Sequence, residues 1–322
     1  MIHFGTTKSG KDVHAITISA GDLSVTLLTL GAILQDVRLA GVDHSLTLGS
    51  ANLADYEGPM HYHGALVGPL VNRLNGARTM IGGKQFTLDA NQDGQHMLHS
   101  GRTGTQYEIW EVRDSGPAHV LFGLTLPDGT GGFPGNRQVE ARFSITAPAT
   151  LDLKITGTTD ELTLMNFANH SYWNLDGSPN WTGHQMRIAA DHMLPVGQGM
   201  IPTGEVRAVD GTGFDLRDWT TLSAGQPGID HNFCFSDRPM PLRDVLWLRG
   251  ASGVGMTYAT NQPGVQIYDG GHSERPGGGL YEGFAIEAQG WPDAPNHAHF
   301  PSVSLAPGQT YEQVTQWRFS RG

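Results

Sequence analysis

One segment of the chain surrounds a histidine with aromatic, amide and hydroxyl side chains. It runs from Asn166 to Leu175, reads NFANHSYWNL, and has His170 near its centre. Aromatic faces stack on the apolar face of a sugar ring, while amide, imidazole and hydroxyl groups hydrogen-bond its hydroxyls. The composition therefore fits a polyhydroxylated ligand, and it equally fits a loop whose amides cap the local backbone.

A second segment carries a carboxylate inside an apolar run. Residues 283–294 read GFAIEAQGWPDA, and Glu287 lies among residues typical of a buried strand. Such a carboxylate is either a paired structural group or one whose pKa is raised toward neutrality by desolvation. The second case is what a general base working near pH 7 requires. The residues alone leave both interpretations open.

Other catalytic chemistries find little support in the sequence. His61 and His63, like His297 and His299, have the i, i+2 spacing that would put two imidazoles on one face of a strand, as in half of a zinc or copper site. No cysteine pair or His-Glu-x-x-His motif completes such a site. The nucleophile elbow, the dinucleotide-binding glycine fingerprint and the P-loop are also missing. We therefore expect neither a metal nor a cofactor.

The charge and cysteine content restrict the partners and the compartment. The formal net charge is -11 and no Lys/Arg cluster occurs, so we expect no nucleic acid and no membrane surface as a partner. Cys234 is the only cysteine, which suits a reducing compartment. Residues 1–22 lack a signal-peptide pattern, and no stretch approaches the roughly 18 apolar residues of a membrane helix. The sequence predicts a cytoplasmic protein, either a monomer or a homodimer.

The elements that must position these residues are predicted to be strands. Apolar residues alternate with polar ones in several runs that turn signals such as Pro127-Asp128-Gly129 separate, and this period of two is typical of strands with one buried face. One short helix is predicted at Pro241–Trp247, and Pro276–Gly279 is predicted to be a mobile loop between two strands. We therefore predict an all-β fold, a single domain over residues 1–322 with two stacked antiparallel sheets. The alternating residues are Leu23, Val25 and Leu27; Ala141, Phe143 and Ile145; Leu151, Leu153 and Ile155; and Trp317 and Phe319.

A set of short motifs occurs in a characteristic order along the chain. In this order they resemble the aldose 1-epimerase (galactose mutarotase) family, over residues from about 31 to 319. One such motif would be weak, whereas the ordered set is specific. The motifs are GALVGPLVNRLNG (64–76), HMLHSG (96–101), NHSYWNL (169–175), LPV (194–196), IPTGE (201–205), FDLR (214–217), IDHNF (229–233), GVQ (264–266), EAQ (287–289), PDAPN (292–296) and FP (300–301).

The resemblance implies a fold, a reaction and a role for each site residue. The fold would be a large twisted antiparallel β-sandwich, the galactose mutarotase-like supersandwich, with few short helices. The reaction would interconvert the α and β anomers of a free monosaccharide without a cofactor. His170 would be the general acid that protonates the ring oxygen, and Glu287 the general base that takes the proton from the anomeric hydroxyl. The residues that would hold the sugar hydroxyls are Asn72, Arg73, His99, Asp230 and Gln266.

Four positions depart from the family pattern. Pro69 follows Gly68 where the family commonly has Arg, Ser100 replaces a glycine, Ala288 replaces the usual Thr, and Trp173 replaces the usual Phe. None removes a proposed catalytic group, but all lie beside the proposed sugar contacts. They leave the preferred aldose open and fit a divergent member that prefers another sugar, for instance a pentose or a deoxy sugar.

Two other functions on the same fold are alternatives. A non-catalytic sugar-binding domain would be expected to lack the acid or the base, yet both are present. A hexose-6-phosphate 1-epimerase would need two or three basic residues around the phosphate, for which Arg73 and Arg275 are the candidates. A lyase or hydrolase on a related sandwich is a third possibility, and analysis of the products would separate it.

Overall fold

The computed structural model describes residues 1–322 and consists almost entirely of β-strands. A single short α-helix, α1, spans Leu53–Tyr56, and no helix is long and apolar enough to cross a membrane. Single 3₁₀ turns occupy Asn75–Ala77, Gly101–Thr103, Thr105–Tyr107, Thr130–Gly132, Gln198–Met200 and Ala294–Asn296. The strands, in chain order, are β1 (Ile2–Thr6), β2 (Asp12–Ala20), β3 (Leu23–Leu28), β4 (Leu34–Leu39), β5 (Leu66–Val67), β6 (Arg73–Leu74), β7 (Arg78–Ile81), β8 (Lys84–Thr87), β9 (Met97–Leu98), β10 (Glu111–Gly116), β11 (His119–Leu126), β12 (Arg137–Thr146), β13 (Thr150–Thr159), β14 (Thr163–Leu164), β15 (Ala168–Asn169), β16 (Tyr172–Trp173), β17 (Gln185–Ile188), β18 (His192–Met193), β19 (Arg207–Ala208), β20 (Thr220–Thr221), β21 (Asp230–Cys234), β22 (Arg243–Arg249), β23 (Gly255–Thr260), β24 (Gly264–Tyr268), β25 (Phe284–Gln289), β26 (Ser304–Leu305) and β27 (Tyr311–Ser320).

The largest sheet is antiparallel and has nine strands in the order β10-β11-β12-β13-β27-β23-β22-β17-β20. The alternating residues predicted from the sequence line up across its centre. Phe143 is opposite Leu153, and Leu151 is opposite both Ile145 and Trp317, all of them buried. Opposed side chains of antiparallel strands share a face, so these residues form one apolar layer. The predicted period of two is confirmed here.

A six-stranded antiparallel sheet, ordered β16-β25-β24-β21-β18-β19, packs against this layer. Its core face is apolar: Trp173 lies 5.9 Å from Trp317 and 5.6 Å from Phe319, ring centre to ring centre. The Tyr258 hydroxyl, from the nine-stranded sheet, accepts a hydrogen bond from the Ala288 backbone N–H at 3.0 Å. The two sheets therefore stack face to face, and the predicted all-β antiparallel sandwich is confirmed.

A third sheet, β1-β2-β3-β4, closes the apolar core on another side. Val25 and Leu27 from β3 belong to the same buried cluster of 52 residues as Phe143 and Ile286. This shared cluster packs against one face of the six-stranded sheet. The other face of that sheet carries polar groups.

The helix predicted at Pro241–Trp247 is wrong, because these residues belong to β22 and the turn before it. β22 pairs with β23 and β17, and a bulge between Asp244 and Leu246 turns Val245 and Leu246 both toward the core. A bulge puts two residues opposite one and so breaks the period of two that identifies a strand. By contrast, Pro276–Gly279 does lie between two strands, β24 and β25, as predicted.

Candidate active site

The polar face of the six-stranded sheet forms the floor of a cavity of about 880 Å³. Gln266 on β24 is opposite Glu287 on β25 and opposite Asn232 on β21, so their side chains share this face. Asp230, two residues before Asn232, lies on it as well. Ile267, which follows Gln266, and Ile286, which precedes Glu287, point into the core. Glu287 therefore lies in an apolar run, because every residue of its strand is buried.

The cavity brings together all seven residues that the resemblance singled out, from six separate stretches of the chain. This placement does not follow from any one motif. The residues are Asn72, Arg73, His99, His170, Asp230, Gln266 and Glu287.

His170 is fixed through its backbone to the segment just before β5. Its N–H donates to the Ala65 carbonyl, and its carbonyl accepts from the Gly64 N–H, both at 2.9 Å. β15, which ends at Asn169, pairs antiparallel with β5. The aromatic and amide segment around His170 is therefore built into the fold, and its neighbours Asn169 and Asn174 do hydrogen-bond backbone carbonyls. The capping role that the sequence suggested is therefore present, and His170 itself lines the cavity.

Asn72 and His99 enter the cavity from two tight turns. Both have left-handed backbone conformations, with φ of 64° and 51°, which non-glycine residues adopt rarely and at some cost. The backbone N–H of Asn72 donates to Nδ1 of His99 at 3.2 Å. Because Nδ1 accepts, the proton of a neutral His99 ring lies on Nε2. His99 can therefore offer an N–H donor to a ligand.

Arg73, Asp230 and Gln266 form a connected polar chain along one wall. Arg73 Nη2 lies 3.1 Å from Asp230 Oδ2, and Gln266 Nε2 donates to Asp230 Oδ1 at 2.6 Å. The Arg73 Nε donates to Gln92 at 3.2 Å. Both members of the ion pair are largely buried, so screening by water is limited. These three side chains present fixed hydrogen-bond donors and acceptors to the cavity.

His170 and Glu287 meet at the centre of the site. Nε2 of His170 lies 3.5 Å from Oε1 of Glu287, and the two side chains are 5% and 2% exposed. The second atom of each group, Nδ1 of His170 and Oε2 of Glu287, is buried without a hydrogen-bond partner in the protein. A buried polar atom without a partner costs its desolvation free energy unless a ligand or water pairs with it. These two groups are therefore available to a bound ligand.

The electrostatics of this pair are dominated by burial. Desolvation lowers the pKa of His170 to about 4 and raises the pKa of Glu287 well above its usual range. In both groups the Asp230 carboxylate raises the pKa and the Arg73 guanidinium lowers it. Burial also lowers the pKa of His99 well below its usual value. Burial therefore favours the uncharged form of each group, a neutral imidazole and a neutral carboxylic acid.

The same centre is where a metal ion could be held. One nitrogen each from His99 and His170 and one oxygen from Glu287 lie within 4.8 Å of one another. The His-x-His pairs suggested by the sequence form no such group. His61 and His63 lie in a turn. The His297 ring is hydrogen-bonded to the Asp293 carboxylate, and the His299 ring to the Gly204 carbonyl. The strand geometry expected for these pairs is wrong.

Aromatic residues cover the His170–Glu287 pair, and one of them, Tyr62, was not singled out by the sequence. The Tyr62 ring lies 4.7 Å from that of His99 and 5.6 Å from that of His170, while Tyr172 lies 5.2 Å from His170. His63 stacks on Tyr172 at 4.2 Å. Tyr62 comes two residues before the 64–76 motif, so only its neighbourhood could have drawn attention to it. These rings make the site partly apolar, as the C–H face of a sugar requires.

Comparison with known proteins identifies the family. The model of the aldose 1-epimerase family matches residues 14–318, so the chain belongs to that family. It is 34% identical to galactose mutarotase of Mus musculus over 98% of this chain and 97% of that protein. It is 30% identical to aldose 1-epimerase of Escherichia coli (strain K12) over 92% and 91%.

Solved structures agree with this assignment. An aldose epimerase homologue from C. elegans superposes with a TM-score of 0.88 at 28% identity, covering 96% of this chain and 99% of that one. Galactose 1-epimerase from Lactobacillus acidophilus gives 0.86 at 25% identity, covering 100% and 98%. The fold implied by the resemblance is thereby confirmed.

Proposed function

We propose that this protein is an aldose 1-epimerase in which Glu287 is the general base and His170 the general acid. The observation that carries the proposal is the juxtaposition of these two buried groups, 3.5 Å apart in a cavity lined by hydroxyl-binding side chains. The two oxygens that must exchange protons, the anomeric hydroxyl and the ring oxygen, are bonded to one carbon. Groups this close can each reach one of them.

The reaction requires one proton on the His170–Glu287 pair, which either group can hold. Burial of both groups favours the uncharged arrangement, imidazole beside carboxylic acid, and the reactive arrangement is the ion pair with the same single proton. Glu287 removes the proton from the anomeric hydroxyl as its C–O bond becomes a carbonyl. The bond from the anomeric carbon to the ring oxygen breaks, and the ring oxygen takes the proton of His170.

Reclosure restores the protein. After rotation about the bond between the first two carbons, the open-chain hydroxyl returns its proton to His170 and attacks the other face of the carbonyl. The carbonyl oxygen recovers the proton held by Glu287. No atom is gained or lost, and the product is the other anomer.

The polar groups around the pair supply the contacts that would hold the sugar. The Asn72 side-chain oxygen accepts from the Arg73 backbone N–H, which leaves the amide nitrogen as a donor. Arg73, His99 and Gln266 offer further donors, and Asp230 offers acceptors. We propose a neutral monosaccharide as the ligand, because the positive charge of Arg73 is already balanced by Asp230.

The phosphosugar alternative has less support. It relied on Arg73 and Arg275 as free cations. Arg73 pairs with Asp230 and Arg275 pairs with Glu282 at 2.5 Å, so a phosphate would have to displace a carboxylate from each. The binding-domain alternative predicts ligand affinity without turnover, which a rate measurement distinguishes.

Polarimetry tests the proposed activity directly. Freshly dissolved α-D-galactose, α-D-glucose, L-arabinose and D-xylose are followed with and without a catalytic amount of protein. We expect faster approach to an unchanged equilibrium rotation, and the ratio of rates ranks the sugars. A protein that binds sugar but accelerates none of them refutes the proposal and moves the test to hexose 6-phosphates.

We also propose that residues 1–322 fold as one domain, that the protein is cytoplasmic and that it is a monomer or homodimer. The apolar cluster shared by three sheets supports the single domain. Calorimetry should then give one transition whose measured and van't Hoff enthalpies agree. Two separable transitions would refute the single domain, and light scattering measures the oligomeric state.

A further inference from the structure

The proposed general acid lacks the usual means of orienting a catalytic histidine. In most acid–base histidines, a hydrogen bond to one ring nitrogen fixes the tautomer and the ring plane. Here Nδ1 of His170 has no hydrogen-bond partner on another residue, and Nε2 faces Glu287. No hydrogen bond from a neighbouring residue therefore fixes the plane of the ring.

Aromatic rings surround it instead. The Tyr62 ring is nearly parallel to His170, with centres 5.6 Å apart and planes inclined by 20°. Tyr172 approaches at 5.2 Å and 35°, and His99 presents its edge at 5.2 Å and 72°. Both tyrosine contacts fall within the about 6 Å over which an aromatic face attracts a cation.

The two tyrosines are themselves held by the fold. Tyr62 lies in the turn that also carries Gly64 and Ala65, the backbone partners of His170. Tyr172 is in β16, and its carbonyl accepts hydrogen bonds from the Thr47 hydroxyl and the Leu48 N–H. His63 stacks behind it with planes inclined by 21°.

We propose that Tyr62 and Tyr172 are positioning residues that clamp the His170 ring and favour its imidazolium form. The inference rests on the proposed function and deepens it, since it states how a buried histidine can act as an acid. The tyrosine faces stabilise the protonated ring that burial disfavours. They thereby raise the population of the ion-paired arrangement that reacts.

Other titratable and charged groups also face His170, and the test must separate them from the rings. Changing only Tyr62 and Tyr172 leaves these groups in place. They are Glu287, His99, His61, His63, Asp230 and Arg73.

The test compares Tyr62→Phe with Tyr62→Leu, and Tyr172→Phe with Tyr172→Leu. The Phe variants keep the aromatic face and lose only the hydroxyl, so we expect the acidic limb of their pH profiles to stay at the wild-type position. Each Leu variant should lower kcat by about threefold or more with little change in KM, and move the acidic limb of the pH profile about half a unit lower. Trp219→Leu is the control, because Trp219 is 39% exposed, packs against Arg249 and lies outside the cavity.

A second measurement does not depend on activity. Titration of His170 followed by NMR should show its protonation moving to lower pH in the Leu variants and unchanged in the Phe variants. A folded Tyr62→Leu protein with wild-type kcat, pH profile and His170 titration overturns the inference. Tyr62 is only half-buried, so its variants decide the question if Tyr172→Leu fails to fold. A wild type without mutarotase activity would instead refute the proposed function and leave the NMR test intact.

Discussion

The ion pair of Arg73 and Asp230, beside His170 and Glu287, allows a test in which the direction of a pH shift is predicted. Asp230 raises the pKa of both His170 and Glu287, and Arg73 lowers both. Asp230→Asn removes a nearby negative charge, so both steps of the pair's titration move to lower pH. Arg73→Met removes a positive charge, so both move to higher pH. The bell-shaped profile of kcat/KM should therefore shift as a whole, in opposite directions for the two variants.

The same variants should weaken sugar binding. A hydrogen bond to a charged group contributes about 1.5–3 kcal/mol, and the two side chains are only 15% and 20% exposed. Losing one such contact corresponds to about a 10- to 150-fold loss in kcat/KM, expected mainly as a higher KM.

Polarimetric initial rates on α-D-galactose between about pH 4 and 10, corrected for the spontaneous rate, measure both effects. Asp237→Asn is the matched control, because Asp237 forms an exposed ion pair with Arg238 at 3.3 Å. Shifts of both variants in the same direction, or no shift in either, would refute the electrostatic reasoning.

Two further predictions concern stability and reactivity. Folding raises the pKa of the buried Glu287 carboxyl. The contribution of this group to the stability of the fold is therefore complete below its unfolded pKa and is lost as the pH rises through its folded pKa. Glu287→Gln, which cannot ionise, should thus unfold at a higher temperature than the wild type at pH 8. The gain should shrink toward pH 4 in thermal scans, and a gain independent of pH would contradict the assigned burial. Cys234 is buried and its thiol pKa is raised to about 12, so a thiol reagent should label it only after denaturation, and rapid labelling of the native protein would contradict this.

Much of the fold could be predicted because its strands obey a simple period. Val25, Phe143, Leu153 and Trp317 all stand at alternating positions and are all buried. The period fails where the backbone departs from a regular ladder. The bulge beside Val245 interrupts the alternation in β22, so that its sequence also fits a helix.

The site could be predicted in its parts but not in its geometry. Glu287 was identifiable as a carboxylate in an apolar run, yet the run shows only that the residue is buried. The group that meets it, His170, comes from a distant segment, and cross-strand registers bring the two together. Tyr62 gave no signal, because an aromatic residue in a turn has many ordinary roles.

The most direct test of the central claim is the mutarotation rate of purified Glu287→Gln and His170→Asn compared with the wild type. His192→Asn and Glu57→Gln are controls, because their side chains lie outside the cavity. The acid–base account predicts that the wild type and controls accelerate mutarotation of α-D-galactose, and that each catalytic variant folds normally but loses about 10²-fold or more of the rate. A folded Glu287→Gln or His170→Asn protein that retains the wild-type rate would contradict the role assigned to that residue.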